Sequence, residues 1–165
     1  MFVKDLKVGK DAEQKLMELL NGVGVKTGPV SVDNRKFWDL ECEGFQDGDF
    51  GSFNDFTVEV KFDAYEQKSG NIAIELHNPK SDKPSGLGLT KATLWAHCLH
   101  DAIFLTATQK LRDYVDKTKP DRIIKRGGDG NAFIYLYKRI DLMPAIFKEV
   151  NGDGSNLISI LLELL

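Results

Sequence analysis

The residues best suited to chemistry are a glutamate and a lysine two positions apart, Glu59 and Lys61. They lie in residues 55–62, where apolar and polar side chains alternate with the period of two that is typical of a β-strand. Val58 and Val60 are expected to face a core, with the glutamate and lysine side by side on the other face. A carboxylate can hold a divalent cation, and a neighbouring ammonium can steady an attacking water or the charge that develops on a phosphate. The pair therefore indicates either half of a metal-dependent phosphodiesterase site or a solvated strand edge.

A first helix is predicted at residues 11–22, and one of its acids lies on the apolar face. The apolar stripe consists of Leu16, Met17 and Leu20. Glu13 precedes these residues by three, four and seven positions, so it is centred on the stripe. An acid there is unfavourable unless it is paired or bound to a cation. The alternative is that Glu13 favours the helix dipole near the N-terminus and extends into solvent.

Three strands are predicted at residues 36–42, 55–62 and 71–77, joined by turn-rich links as in an antiparallel meander. The alternation of the first strand places Trp38 on its apolar face and Asp39 on its polar face. A second acid would therefore lie on a strand next to the one that carries the glutamate and lysine.

The remaining segments predict further alternation of helices and strands. Expected are a hairpin connection at 44–54, a helix at 90–100, a buried strand at 102–107, a helix at 108–117, a turn at 126–131, a strand at 132–138 and a helix at 141–150. The strand at 102–107 fits a parallel strand reached by a helical crossover. The apolar tail 157–165 indicates either a seal on the core or a dimer contact. The chain is predicted to be a single α/β domain with a central mixed sheet flanked by helices.

Composition places the chain among ordinary soluble globular proteins. It has 165 residues, of which 42% are hydrophobic and 28% charged. No apolar run is long enough to span a bilayer, and residues 1–5 lack the apolar run of a signal peptide. Cys42 and Cys98 make neither a disulfide framework nor a zinc motif. We expect a cytoplasmic protein with no membrane partner.

The charges are unevenly distributed, although the net charge is only −3. Residues 39–59 contain seven acids and no lysine or arginine, whereas residues 110–126 contain seven basic residues against three acids. The basic residues are Lys110, Arg112, Lys117, Lys119, Arg122, Lys125 and Arg126. An acidic centre beside a basic rim suits a cation together with a polyanion such as DNA. The alternative is a scatter of solvated loop charges.

The order of these groups resembles the PD-(D/E)xK nuclease superfamily. An acid on the first helix is followed by an acid on a strand and then by a strand with the pattern Glu-x-Lys. Within the superfamily, the helix pattern from Gly9 to Leu20 is most similar to Holliday junction resolvases and related phage endonucleases. The resemblance covers about residues 9–92. It implies a restriction-endonuclease-like fold and a metal-dependent endonuclease that acts on DNA, branched or duplex, in the cytoplasm of its cell or of a phage host.

The resemblance also implies a role for each residue of the motif. Asp39 and Glu59 would ligate Mg²⁺ or Mn²⁺ together with the backbone carbonyl of Val60, and Glu13 would complete the first or second shell. Lys61 would orient the nucleophilic water or help to deprotonate it. Oxygen donors of this kind suit hard divalent cations.

The segment from Ser69 to Ala92 is similar to phage-type members of the same superfamily. Glu75 is a possible extra ligand, or else an exposed strand carboxylate. Lys91, expected at a helix start, is a possible phosphate contact, or else a solvated lysine. Asp55 is a rival for the strand acid. Two other functions stay open: a nucleic-acid-binding module without catalysis, and an interaction protein whose acidic centre is only a solvated surface.

Overall fold

The computed structural model describes residues 2–47, 49, 51–78, 83–127 and 132–165, and only the backbone at 2–7, 47, 126, 127 and 132. The helices are α1 (Phe2–Gly22), α2 (Glu66–Ser69), α3 (Thr108–Lys117), α4 (Arg139–Ile146) and α5 (Leu157–Leu164), with a 3₁₀ turn at Gly86–Gly88. The strands are β1 (Thr27–Gly28), β2 (Leu40–Cys42), β3 (Phe45–Asp47), β4 (Gly51–Phe53), β5 (Phe56–Phe62), β6 (Asn71–Asn78), β7 (Lys83–Pro84), β8 (Leu94–Cys98), β9 (Ile103–Ala107), β10 (Arg122–Gly127), β11 (Ala132–Lys138) and β12 (Lys148–Val150). Within the described residues, no helix is long and apolar enough to cross a bilayer.

A six-stranded mixed sheet forms the centre of the molecule, in the order β1-β2-β5-β8-β9-β12. β5 pairs antiparallel with β2 and parallel with β8, and the other pairs among the described strands are antiparallel. Two smaller sheets accompany it, one in the order β10-β11-β6-β7 and one formed by the hairpin of β3 and β4. The predicted α/β architecture with a mixed sheet flanked by helices is confirmed, as is the hairpin between β2 and β5.

The central sheet is buried on both faces by two separate apolar cores. On one face, Val58 and Val60 of β5 pack in a cluster with Leu16 of α1 and Leu161 of α5. On the other face, Trp95 of β8 belongs to a second cluster, which is contributed by β6, β9, β11, α3 and α4. The polar residues of β5 point toward this second layer. The predicted alternation of β5 is therefore correct.

The helix predicted at 90–100 is wrong, because this segment contains the strand β8. Each of its five residues, from Leu94 to Cys98, is buried. Leu94 packs into the core on one face of the sheet and Trp95 into the core on the other. A strand that is buried on both faces has no polar side to reveal its period, so its apolar residues also fit a helical spacing.

The predicted meander is right for β2 and β5 but wrong for the third strand. β6 pairs with β11 and β7 in the four-stranded sheet and not with β5. The chain turns away at Asp63, whose Oδ1 accepts hydrogen bonds from the backbone N–H groups of Tyr65 and Glu66. Gly70, with φ of 67°, then ends α2 in the left-handed conformation and starts β6 in a new direction.

Two element boundaries also differ from the predictions. α1 begins at Phe2 and not at residue 11, because Gly9 is tolerated inside the helix. β2 begins at Leu40, since the backbone N–H groups of Phe37 and Trp38 both bond to the carbonyl of Asn34 in a turn. Trp38 is therefore half-buried outside the apolar core, and its Nε1 donates to Glu41 Oε1 at 3.0 Å.

The later elements follow the predictions more closely. The strand at 102–107, the helix at 108–117 and the strand at 132–138 are confirmed as β9, α3 and β11. β9 is antiparallel to β8, however, so the one parallel partner of β5 is β8 and not the strand at 102–107. The segment 141–150 is divided between α4 and β12, the strand β10 was not foreseen, and residues 128–131 of the expected turn lie outside the described residues.

The apolar tail forms α5 and completes the core beneath the central sheet. Leu157, Ile160 and Leu161 are buried in the same cluster as α1 and β5. The seal on the core is therefore confirmed, whereas a homodimer stays a prediction.

Candidate active site

Glu59 and Lys61 form a close ion pair on the inner face of β5. Lys61 Nζ lies 2.6 Å from Glu59 Oε1. Glu59 is only 7% exposed, whereas the lysine side chain is half-buried. A buried carboxylate needs a cationic or hydrogen-bonding partner, and here the lysine supplies it.

Asp39 is fixed beside this pair by the backbone of the same strand. Its Oδ2 accepts a hydrogen bond from the N–H of Val60 at 2.7 Å, and its own N–H donates to the carbonyl of Val58 at 2.9 Å. Asp39 is thus paired to β5 although it precedes β2. The hydrogen bond to Val60 leaves Asp39 Oδ1 as the oxygen that is available to a ligand.

Glu13 shares the electrostatic environment of these two acids. It is half-buried on α1, and burial raises its pKa, with further increases from the carboxylates of Asp39 and Glu59. The pKa of Glu59 is also raised, first by burial and then by Asp39, although Lys61 partly offsets this. Asp39 thus acts on both glutamates, so the three carboxylates, which are distant in sequence, share one electrostatic environment.

Lys61 is the cation on which this arrangement depends. Burial alone would lower its pKa, but the carboxylates of Glu59, Asp39 and Glu75 together raise it above the ordinary value. Lys61 is therefore a stable ammonium at neutral pH. The contribution of Glu75 also shows that β6 brings this residue toward the site from the second sheet, and not from the meander that its sequence suggested.

The three acids are near one another but do not form a closed set of ligands. Within the described part of the chain, no three Asp, Glu, His or Cys side chains lie close enough together to hold a metal ion. One oxygen of Asp39 is bonded to Val60 and one oxygen of Glu59 to Lys61. Binding of a cation by this group would require at least one side chain to rotate.

The loop that leads into β8 lies within the segment Ser69 to Ala92, which resembles phage-type endonucleases, and it supports Glu59. The hydroxyl of Thr90 donates to the carbonyl of Phe37 at 2.6 Å, and its position beside Glu59 lowers the pKa of that carboxylate. Arg112 of α3 fastens the same loop, because its Nη2 donates to the carbonyls of Leu87 and Thr90. Arg112 thus has a structural contact that its predicted role in DNA binding did not anticipate.

Glycine is required where this loop passes over β6. At Gly86, where φ is +50°, an added Cβ would lie 2.6 Å from the carbonyl oxygen of Glu75. We expect Gly86→Ala to lower the free energy of unfolding by about 2–4 kcal/mol, since strain and a backbone clash act together. Gly70→Ala is the matched control: φ there is +67° but nothing lies within 4 Å of the added Cβ. Urea denaturation of both variants measures the difference, and equal losses would show that the contact with β6 is unimportant.

The raised pKa of Glu13 predicts that the carboxylate destabilises the metal-free protein. An acid whose pKa is raised on folding stabilises the protein below its unfolded pKa, and this contribution is lost as pH rises through the folded value. We therefore expect Glu13→Gln to stabilise the protein by about 0.5–1 kcal/mol at neutral pH. The gain should shrink toward about pH 4, where the carboxyl is protonated in both states. Thermal melts across this range test it, with Glu18→Gln, an exposed acid of the same helix, as the control that should change little.

A cleft of about 290 Å³ opens beside the lysine, between the end of β5 and β6. Lys61 and Glu75 line it, together with Asp63 and His97. His97, which is 1% exposed, places Nε2 3.7 Å from Asp63 Oδ2. Glu13, Asp39 and Glu59 do not line this cleft, so Lys61 connects the acidic group to the open space. Asp63 and His97 were not among the predicted site residues, because neither belongs to the Glu-x-Lys pattern.

Two other predicted residues have contacts of a different kind. Asp55 Oδ1 accepts from the N–H of Gly44 at 2.6 Å, so it anchors the hairpin of β3 and β4. Lys91 lies between the 3₁₀ turn and β8 and not at a helix start, and its Nζ is 4.1 Å from the centre of the Phe37 ring. This cation–π contact explains the position of the lysine without a phosphate.

The predicted DNA-binding residues lie on α3, on β10 and on the link between them. Those with exposed side chains are Lys110, Lys117, Lys119, Arg122 and Lys125. Arg112 is half-buried, and the side chain of Arg126 lies outside the described residues. Five of the seven predicted DNA-binding residues are thus exposed to solvent. No family model matches this chain, and neither a curated protein nor a solved structure is significantly similar to it.

Proposed function

We propose that this protein is a divalent-metal-dependent DNA endonuclease, with branched DNA as the preferred substrate. The observation that carries the proposal is the buried ion pair of Glu59 and Lys61, beside which Asp39 is held by the backbone of the same strand. A purely structural ion pair would not need two further acids beside it, and the charge of Asp39 raises the pKa of both Glu59 and Glu13. We also infer that α1, β2 and β5 represent a variant of the restriction-endonuclease-like core.

The charge on Lys61 favours its expected role in orienting the nucleophilic water over its expected role in deprotonating that water. Since its pKa is raised, the side chain cannot accept a proton at neutral pH. It can orient a water molecule and stabilise the negative charge that develops on the phosphate. In this proposal Lys61 is therefore an electrostatic and positioning group, and Glu59 holds it in place.

The donors of the acidic group are chemically suited to Mg²⁺ or Mn²⁺. Asp39, Glu59 and Glu13 supply carboxylate oxygens, and the carbonyl of Val60 is a further oxygen donor. A bound cation would polarise a phosphate oxygen and lower the pKa of a coordinated water. The mutual repulsion of the carboxylates supports this assignment, because a divalent cation would relieve it. Glu59 would then share its charge between the cation and Lys61.

The exposed basic residues of α3, of β10 and of the link between them supply the polyanion contact that the proposal requires. Five cationic side chains in one part of the chain favour binding to the phosphate backbone without base specificity. Two buried free thiols, Cys42 and Cys98, fit the reduced cytoplasm that we infer as its setting.

Cleavage assays test the proposal directly. Purified protein is incubated with Mg²⁺ or Mn²⁺ and with supercoiled, linear, single-stranded and four-way-junction DNA, and EDTA serves as the control. We expect metal-dependent nicking, fastest on the junction. Salt-sensitive binding without cleavage of any substrate would favour a nucleic-acid-binding module instead. The absence of both binding and cleavage would leave only a solvated acidic surface.

A further inference from the structure

A second cleft, larger than the one beside Lys61, is lined by Glu66 and Ser69 of α2. Its volume is about 820 Å³, within the range of small-molecule sites in proteins. Its walls are mostly apolar and are contributed by Phe104, Met143, Pro144 and Phe147. Ile140, which is 78% exposed, lies at its edge. The proposed nuclease chemistry does not use this cleft.

One charged group in the cleft has an unmet hydrogen-bonding requirement. Glu66 is only 4% exposed, and its Oε1 accepts from Arg139 Nη1 at 3.0 Å. Its Oε2 is buried, and no donor of the described residues reaches it. A buried carboxylate oxygen without a donor is unfavourable, so it indicates a ligand that brings an N–H or O–H group.

The charge balance at Glu66 indicates that the part of the ligand in contact with this carboxylate is neutral. Arg139 already neutralises Glu66, and a second cation would place excess positive charge in a mostly apolar cleft. Arg139 Nη2 lies 3.9 Å from an exposed Asp101 oxygen, which is beyond hydrogen-bonding distance, so it can donate to a ligand acceptor. A ligand that complements Glu66 and Arg139 therefore has an edge on which a hydrogen-bond donor lies next to an acceptor. Phe104 and Phe147 favour a flat apolar body behind that edge.

We propose that this cleft binds a nucleobase of the guanine class, whose N1–H donates to Glu66 and whose C6 carbonyl accepts from Arg139. A lactam edge has the required N–H and carbonyl side by side, and the purine supplies the flat body. Lys138, which lines the same cleft, has an exposed side chain whose Nζ lies 3.9 Å from Asp121 Oδ1, and this weak surface pair leaves it able to meet the phosphate of a nucleotide. The site does not depend on the nuclease proposal, because a free nucleotide is enough to test it.

Binding of guanosine 5′-monophosphate tests the site without any cleavage assay. We expect saturable chemical-shift changes at the amides of Gly70, Asn71 and Phe104, which line the cleft. The 1-methyl analogue keeps the carbonyl but lacks the N1–H, and it should bind at least about tenfold more weakly, since a charged acceptor loses its donor. This comparison uses the wild-type protein, so it does not depend on how a variant folds. Equal affinity for the two nucleotides, or no shift at these amides, would overturn the proposal.

Two variants of lining glutamates locate the contact. Glu66→Gln should weaken binding by a similar factor, whereas Glu149→Gln, an exposed glutamate of the same cleft, should leave it unchanged. Equal effects of both substitutions would also refute the assignment. A short oligonucleotide with one central guanine among cytosines distinguishes the two sources of the base, a nucleic-acid strand and a free nucleotide. Tighter binding of the oligonucleotide than of the nucleotide indicates a base within a strand, and the reverse order indicates a free nucleotide; either order supports the site.

Discussion

Lys61→Ala is expected to lower the rate of DNA cleavage by about 10²–10³-fold, the usual effect of removing one donor that stabilises transition-state charge. DNA affinity should change little, because the exposed lysines and arginines of α3 and β10 provide most of the phosphate contacts. Single-turnover cleavage and fluorescence anisotropy on the same junction separate the two effects. An unchanged rate would remove Lys61 from the mechanism.

Loss of stability must be separated from loss of function in this variant. Without Lys61, the buried carboxylate of Glu59 loses its partner at 2.6 Å, which destabilises the metal-free fold by about 1–3 kcal/mol. Lys61→Arg keeps the positive charge but changes the geometry, so it should restore stability more fully than activity. Lys10→Ala is the matched control, since Lys10 is an exposed lysine that also acts on Glu13. If Lys10→Ala lowered the rate as much as Lys61→Ala, a general loss of positive charge would explain the effect.

The sequence predicted the parts of the site that depend on local periodicity. The alternation of β5 placed Glu59 and Lys61 on one face and Val58 on the other, as the structure confirms. The helical spacing of α1 likewise placed Glu13 beside the buried Leu16. Both patterns show which face of an element packs into the apolar core. A few neighbouring residues are enough to reveal such a pattern.

The predictions that were wrong concern the pairing of one element with another. Nothing within β8 distinguishes a strand buried on both faces from a helix, because its pairing with β5 is set by residues far away. The transfer of β6 to a second sheet depends on Asp63, whose hydrogen bonds form only after the chain has turned. The pairing of Glu66 with Arg139 joins residues 73 positions apart, and neither belongs to a recognisable motif. Long-range contacts of this kind leave no periodic signal in the sequence.

Manganese is expected to stabilise the wild-type protein, and Asp39→Asn is expected to abolish that stabilisation. At a free metal concentration of about 100 times the dissociation constant, binding contributes about 2.7 kcal/mol. For a domain of this size the gain corresponds to a rise in Tm of roughly 5–10 °C. An amide at position 39 can still accept the hydrogen bond from Val60, so the metal-free variant should fold normally. It lacks the negative charge that a hard cation requires, so its Tm should not respond to Mn²⁺.

The response to metal also tests whether the acidic group closes around a cation, since the side chains as they stand do not form a closed ligand set. Asp55→Asn removes a carboxylate of the same type, but one that bonds to Gly44 away from the site. This control variant should lose some stability, but Mn²⁺ should raise its Tm as much as it raises the Tm of the wild-type protein. If Asp39→Asn and Asp55→Asn responded equally, the cation would bind elsewhere. If the wild-type protein did not respond, Glu13, Asp39 and Glu59 would be a repulsive cluster that only Lys61 neutralises, and the proposed hydrolysis would lose its metal.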